Sequence, residues 1–232
     1  MRGTIPRYAV IPTHNRHDEL TALVTQLSRQ CDGIVIIDNA STPAVSSRTL
    51  YDETGWDVNI TVIRDMEQPP NLSRLWNVGL DAVKIVCDLT GEDLWDVAIF
   101  NDDAVVPDDW WDGVSHYMRE YNVTLASRRC YAKVTTDPKI KTKPDEIITD
   151  RLCGWAFMMR GETGLRADER FRWWYGDTDL DWQARQLNGM LLAPGEPVGN
   201  RYADQSTQGV LAEWATRDSV AFREKWGWLP WA

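Results

Sequence analysis

The sequence predicts an α/β fold in which a mostly parallel sheet is flanked by helices. Three short apolar runs stand in the first half, at residues 8–11 (Tyr-Ala-Val-Ile), 34–37 (Ile-Val-Ile-Ile) and 97–100 (Val-Ala-Ile-Phe). Each is continuous rather than alternating, which suits strands buried on both faces. Longer stretches of helical period lie between them, and that alternation requires crossover connections.

In chain order, the run at 8–11 is the first strand. A helix over 18–29 follows, with Leu20, Leu23, Val24 and Leu27 on one face, Asn15 as its N-cap and Asp18 and Glu19 in its first turn, where acids favour the dipole. The run at 34–37 is the second strand, and 59–63 adds another. A long helix over 72–89 carries Leu75, Val78, Gly79, Ala82, Val83 and Val86 at helical spacing. The run at 97–100 leads to a helix over 108–120, opened by Pro107. Beyond about residue 125 the pattern changes. Residues 135–150, with Pro138, Pro144, lysines and acids, read as a loop long enough to act as a lid or binding loop. A strand is expected over 152–159, a helix over 179–187 and a C-terminal helix over 208–226. The tail carrying Trp226, Trp228 and Trp231 then has to dock or offer a patch to a partner.

At 232 residues the chain is expected to form one domain with a sizeable core. Its 25 basic against 35 acidic side chains give a net charge of −10, which speaks against a nucleic-acid backbone binder. No apolar run nears the roughly 18 residues a membrane helix needs. The N-terminus lacks the apolar core of a secretory signal, so a cytoplasmic protein is expected. The four cysteines (Cys31, Cys87, Cys130, Cys153) form no C-x-x-C pair, which argues against structural zinc or a disulfide framework. The three histidines, His14, His17 and His116, all lie in the first half, so no histidine-rich metal site is expected.

Chemistry is expected where the apolar runs end. They lead into Pro12-Thr13-His14-Asn15, Asp38-Asn39-Ala40-Ser41 and Asn101-Asp102-Asp103. In open parallel sheets ligands bind outside the carboxyl ends of the strands, so the three clusters should converge. Each alone is an ordinary turn sequence; together they favour a site. Asp102 and Asp103 repel each other and are costly to hold together without a cation, and carboxylate oxygens suit Mg²⁺ or Mn²⁺. Asp108-Asp109 nearby reads as a solvated turn at a helix start. A second acidic group, Asp177, Asp179 and Asp181, follows the aromatic run 171–175. Asp181 fits an acid-rich helix N-terminus, whereas Asp177, expected just before the helix, is better placed to face a cleft.

These segments, taken in order over about residues 7–190, resemble the inverting family-two glycosyltransferases of the GT-A fold, with its Rossmann-like sheet. Val10-Ile-Pro-Thr-His-Asn-Arg16 is similar to the first strand and nucleotide loop, and Ile36-Ile-Asp-Asn-Ala-Ser-Thr42 to the second strand with its base-binding Asp. Trp76-Asn-Val-Gly79 is similar to the N-x-G helix. Phe100-Asn-Asp-Asp103 resembles the DXD motif with Asn101 in place of its first Asp, and Tyr175-Gly-Asp-Thr-Asp-Leu180 the segment that supplies the base. Two departures stand out. Gly176 replaces a frequent Glu, and no His occurs at 198–202, where many members ligate the metal.

The resemblance implies transfer of a sugar from a nucleotide-diphosphate donor to a hydroxyl of a glycan, protein or small molecule. Residues 1–125 would bind the donor and 126–232 the acceptor. Asp177, or Asp179, would be the general base. Pro12, Thr13, Asn15, Asp38, Asn39, Arg74, Asn77, Asn101 and Asp102 would line the nucleotide-sugar site. Asp103, assisted by Asp102, would hold Mn²⁺ or Mg²⁺, with Asn200 as a weak substitute for the missing His. Trp155, Trp173 and Trp174 would meet the acceptor, since aromatic faces pack on sugars; Trp155 and Trp182 also fit a core role. A sugar-nucleotide pyrophosphorylase lacks support, because its Gly-rich phosphate loop is absent. A degenerate GT-A module that only binds sugar or protein is the other reading.

Overall fold

The computed structural model describes residues 5–55, 58–130, 134, 136–144, 150–201 and 209–230. An eight-stranded sheet runs in the order β3-β2-β1-β4-β8-β6-β9-β7. Its first four strands are β1 (Arg7–Thr13), β2 (Gly33–Asn39), β3 (Asn59–Asp65) and β4 (Asp96–Phe100), and they pair in parallel. β5 (Ala104–Val105) lies outside this sheet. β6 (Leu125–Ser127), β7 (Lys139–Lys141), β8 (Ala156–Arg160) and β9 (Met190–Leu192) complete the sheet. β8 runs antiparallel to both β4 and β6. β10 (Gly199–Asn200) pairs antiparallel with β5 in a small separate ribbon.

Buried side chains of the central strands alternate between two cores. Ala9, Ile11, Ile34, Ile36, Ala98 and Phe100 face α1 (His17–Leu27), α2 (Ser47–Thr54) and α4 (Trp110–Glu120). Val10, Val35, Ile37, Val97 and Ile99 face α3 (Leu72–Thr90) and α5 (Gly176–Leu187). Burial on both faces is why these runs read as continuous rather than alternating. Gly79 lets α3 lie close on β1: a β-carbon there would stand 2.2 Å from Val10 Cγ1.

A third cluster joins α6 (Val210–Trp226) to α5, built from Phe171, Tyr175, Trp182 and Phe222 with Trp174, Trp226 and Trp228 packed against it. Trp182 is fully buried, its ring 5.2 Å from that of Trp226 and 4.4 Å from that of Trp228. Large aromatic rings thus dock the C-terminal helix and tail; Trp231 lies outside the described residues. No described helix is long and apolar enough to cross a membrane.

Several expectations need correction. The helix expected over 179–187 begins at Gly176, so Asp177 lies in its first turn. The loop expected over 135–150 contains β7, which adds an edge to the sheet through β9; residues 135 and 145–149 lie outside the described set. Asn15 does not cap α1. Its φ of 56° is left-handed, Arg16 takes the N-cap place, and no side chain caps the helix. The Asn15 side chain instead accepts the Thr42 N–H at 2.7 Å.

Candidate active site

β1 is the strand at which the sheet's order reverses. β2 and β3 extend to one side of it and β4 lies on the other, and such a switch point opens a crevice at the carboxyl edge. The loop after β1 is stitched to both neighbours there. Toward β2, His14 Nδ1 lies 2.6 Å from Asn39 O, Asn15 N–H donates to Ser41 Oγ at 3.0 Å, and His17 Nε2 is 2.9 Å from Pro43 O. Toward β4, Thr13 Oγ1 donates to Asp102 Oδ2 at 2.8 Å across the switch point. The three polar clusters therefore do converge.

The turn Asn101–Ala104 carries the paired carboxylates. Asp102 and Asp103 are buried, at 7% and 3% exposure. Arg16, half-buried at the start of α1, sits between them: Nη1 is 3.1 Å from Asp102 Oδ1 and 3.0 Å from Asp103 Oδ2. Burial pushes both carboxyls above the usual range, only partly offset by Thr13 and Arg16 at Asp102 and by Arg16 at Asp103. Arg16 was not singled out from the sequence. The signal was available, since two adjacent acids need a cation and an arginine follows the first loop.

For a divalent ion, these residues do not fit as they stand. Both oxygens of Asp102 and one of Asp103 are committed to Thr13 and Arg16. Asp103 Oδ1 alone is buried without a partner. No group of three His, Cys, Asp or Glu that could hold a metal exists among the described residues.

The second acidic group divides sharply. Asp179, the alternative base, is fully buried and serves as an anchor for α6. It accepts from Trp226 Nε1 at 2.8 Å, Gln183 Nε2 at 2.6 Å and Lys225 Nζ at 2.9 Å. Asp181 is likewise buried against Arg185 and the Leu152 N–H. Asp177 is partly buried, and its carboxylate lies on Gly154, where a β-carbon would stand 2.3 Å from Oδ2. Burial raises its pKa, and Arg151 and the nearby N–H groups offset this only in part. Gly154 and Trp155 lead into β8. Trp155 O accepts the Asn101 N–H at 3.0 Å, so Asp177 and the Asp102–Asp103 turn flank one two-residue segment. Gly176 has no room for a larger residue: a β-carbon would stand 2.7 Å from Ser73 Oγ and 3.1 Å from Trp76. Packing against α3 thus accounts for the missing Glu.

Other expected contacts turn out to hold the scaffold. Asp38 is fully buried, its oxygens taken by the Ser41 N–H at 2.9 Å, the Val45 N–H at 3.1 Å and Arg64 Nη1 at 3.2 Å. Burial would raise its pKa, but these partners more than offset it and hold the carboxyl below the usual range. It shapes the β2 loop and presents no free edge to a base. Asn39 is tied to Glu67 O and Gln68, and Asn77 latches α3 to Ala167 and Glu169. Arg74 pairs with Asp65 and Glu67. Pro12 is buried in β1. Trp173 and Trp174 are half-exposed, and their N–H groups donate to Asp218 Oδ2 of α6 at 2.7 and 2.8 Å. Trp155 is half-buried against the first core.

The stretch without the expected His also lies at this edge. β10 pairs Asn200 with Ala104, and the Arg201 N–H donates to Asp103 O at 3.1 Å.

Among solved structures, residues 1–349 of S. aureus TarS match with a TM-score of 0.63 at 11% identity, over 84% of this chain and 60% of that one. The complex of the same TarS fragment with UDP-GlcNAc matches at 0.62 and 12%, over 94% and 67%. A mycobacterial protein matches at 0.62 and 13%, over 96% and 75%. The chain thus spans about 60% of the length of the first of these structures. The likeness is one of fold, and that fold is GT-A. Neither a protein-family model nor a curated protein sequence matches the chain.

Proposed function

We propose that this GT-A fold works as an inverting glycosyltransferase, moving a sugar from a nucleotide-diphosphate donor to an acceptor hydroxyl. The observation that carries the reading is that Asp177 and the turn bearing Asp102 and Asp103 both adjoin Gly154-Trp155, the segment that leads into β8 beside β4. One acidic pair is locked to Arg16, whereas Asp177 makes only a long contact with the Thr178 hydroxyl and lies near Arg151. That is the division of labour a sugar displacement needs.

In this reading the nucleotide lies over the β1 and β2 loops, against Thr13, Asn15 and the turn around Ser41. The acceptor enters past Trp155, Trp173 and Trp174. Its oxygen attacks the anomeric carbon as the bond to the diphosphate oxygen breaks. Asp177 takes the hydroxyl proton, and the electron pair leaves on the nucleoside diphosphate. One in-line displacement inverts the anomeric centre. A carboxylate whose pKa is raised by burial is a stronger base than an exposed one, and so better matched to this task. The UDP and UDP-GlcNAc complexes of TarS nominate a uridine donor for the first trials.

The test is nucleoside-diphosphate release from a panel of sugar nucleotides with mixed acceptors, on wild type and Asp177→Asn. Turnover of one donor by wild type alone, with an inverted product by NMR, is the expected result. A donor that binds without turnover would favour the non-catalytic module. A folded protein that binds none of them would end the reading.

A further inference from the structure

We infer that the cation of this site is arginine rather than metal: Arg16, with Arg201 whose backbone is bonded to Asp103, takes the charge of the donor diphosphate. The inference rests on the transferase reading above and specifies how its leaving group is handled.

Arg16 already holds the position in question. A divalent ion bridging Asp102 and Asp103 would have to lie where Nη1 makes its contacts of 3.1 and 3.0 Å. Thr13 Oγ1 takes the remaining oxygen of Asp102. An ion entering beside Arg16 would find one committed pair and the single oxygen Asp103 Oδ1. The Arg16 side chain is 33% exposed, so the guanidinium is not sealed into the core.

Arg201 supplies the second charge. The β5–β10 ribbon carries the chain back past Asp103, and the Arg201 N–H to Asp103 O bond of 3.1 Å fixes the residue there. Its side chain is exposed and makes no ion pair among the described residues. Two carboxylates with two guanidiniums sum to zero, the same balance a divalent ion would strike with the two carboxylates alone. A guanidinium stays charged at any working pH, and its planar fork matches phosphate oxygens. As the sugar–oxygen bond breaks, negative charge grows on the diphosphate against Arg16, held by its two carboxylates, and the exposed guanidinium of Arg201.

The test is calorimetric titration of UDP, GDP, CDP and dTDP in EDTA and in Mn²⁺, on wild type, Arg201→Gln and Arg16→Gln. Circular dichroism checks each fold, and Mn²⁺ binding to the free protein is followed by electron paramagnetic resonance. One nucleotide should bind equally well in EDTA and in Mn²⁺. Arg201→Gln, a surface change, should weaken it about tenfold, as should Arg16→Gln if folded, and added Mn²⁺ should stay free. Binding that needs Mn²⁺, bound Mn²⁺ on the free protein, or undiminished binding by Arg201→Gln would overturn the inference and leave the transferase reading standing. Binding of none of the four in either buffer would remove both.

Discussion

The carboxylate of Asp177 rests on the α-carbon of Gly154, so close that any β-carbon there would stand 2.3 Å from Oδ2 and 3.1 Å from Cγ. The same loop is pinned on both sides, by the Cys153 N–H to Ser127 Oγ at 3.1 Å and by Trp155 O to the Asn101 N–H at 3.0 Å. It cannot retreat easily, so Gly154 sets where the proposed base can sit.

Gly154→Ala should therefore push Asp177 out of place while leaving nucleotide binding intact. A misplacement of about 1 Å at a reacting group can cost on the order of 100-fold in rate. Steady-state kinetics with a donor-binding control should show kcat falling by that order and the donor Kd unchanged. An alanine variant with full kcat would take Asp177 out of the chemistry.

The raised pKa of Asp177 gives two linked expectations. The base works only when ionised, so the acid limb of the kcat profile should lie above the usual carboxylate value of about 3.9. The stability sign runs the other way. A carboxyl whose pKa is higher folded than unfolded contributes stability that is complete below the unfolded value and lost as pH rises through the folded one. Above the folded value wild type has lost it, whereas Asp177→Asn carries no such charge. The variant should be inactive yet melt higher at pH 7, by about 2–5 °C. Melting curves at pH 4 and 7 check this, since the gap should narrow on acidification.

Asp179 makes the opposite case. Its bonds to Lys225, Trp226 and Gln183 tie α6 to α5. Asp179→Asn cannot satisfy them all and leaves Lys225 with Asp168 as its carboxylate partner. Breaking such a buried pair costs about 3–5 kcal/mol, less here because that partner remains. Denaturant unfolding should show the loss. A variant of wild-type stability with no activity would restore Asp179 as a candidate base.

The parallel half of the sheet was legible because its strands are buried on both faces. Continuous runs such as 34–37 have no other reading between turn signals. α2, with only Leu50 and Thr54 buried, left too faint a stripe to see, and β5, β6, β9 and β10 are too short to show a period. The site's acids were legible as a set, but not their division of duties. Asp177, Asp179 and Asp181 look alike along the chain. Only the arrival of α6 and Arg185 commits two of them and leaves the first. Asp38 poses the same problem: whether a carboxylate faces a ligand or its own loop depends on the Ser41 and Val45 N–H groups, which sequence does not orient.

Trp173 and Trp174 bear on the acceptor side. Asp218, 3% exposed on α6, receives both of their backbone N–H groups. One carboxylate thus sets the path of the segment that presents the two rings ahead of α5. Asp218→Ala strands two half-buried donors, at about 1–3 kcal/mol each if water cannot replace the lost acceptor. The segment should loosen while the β1 and β4 loops stay as they are. In kinetics, the acceptor KM should rise several-fold with donor Kd unchanged, together with a lower melting temperature. A lower melting temperature with both constants unmoved would leave the tryptophan pair as scaffold, and the acceptor path would then have to be sought at Trp155 alone.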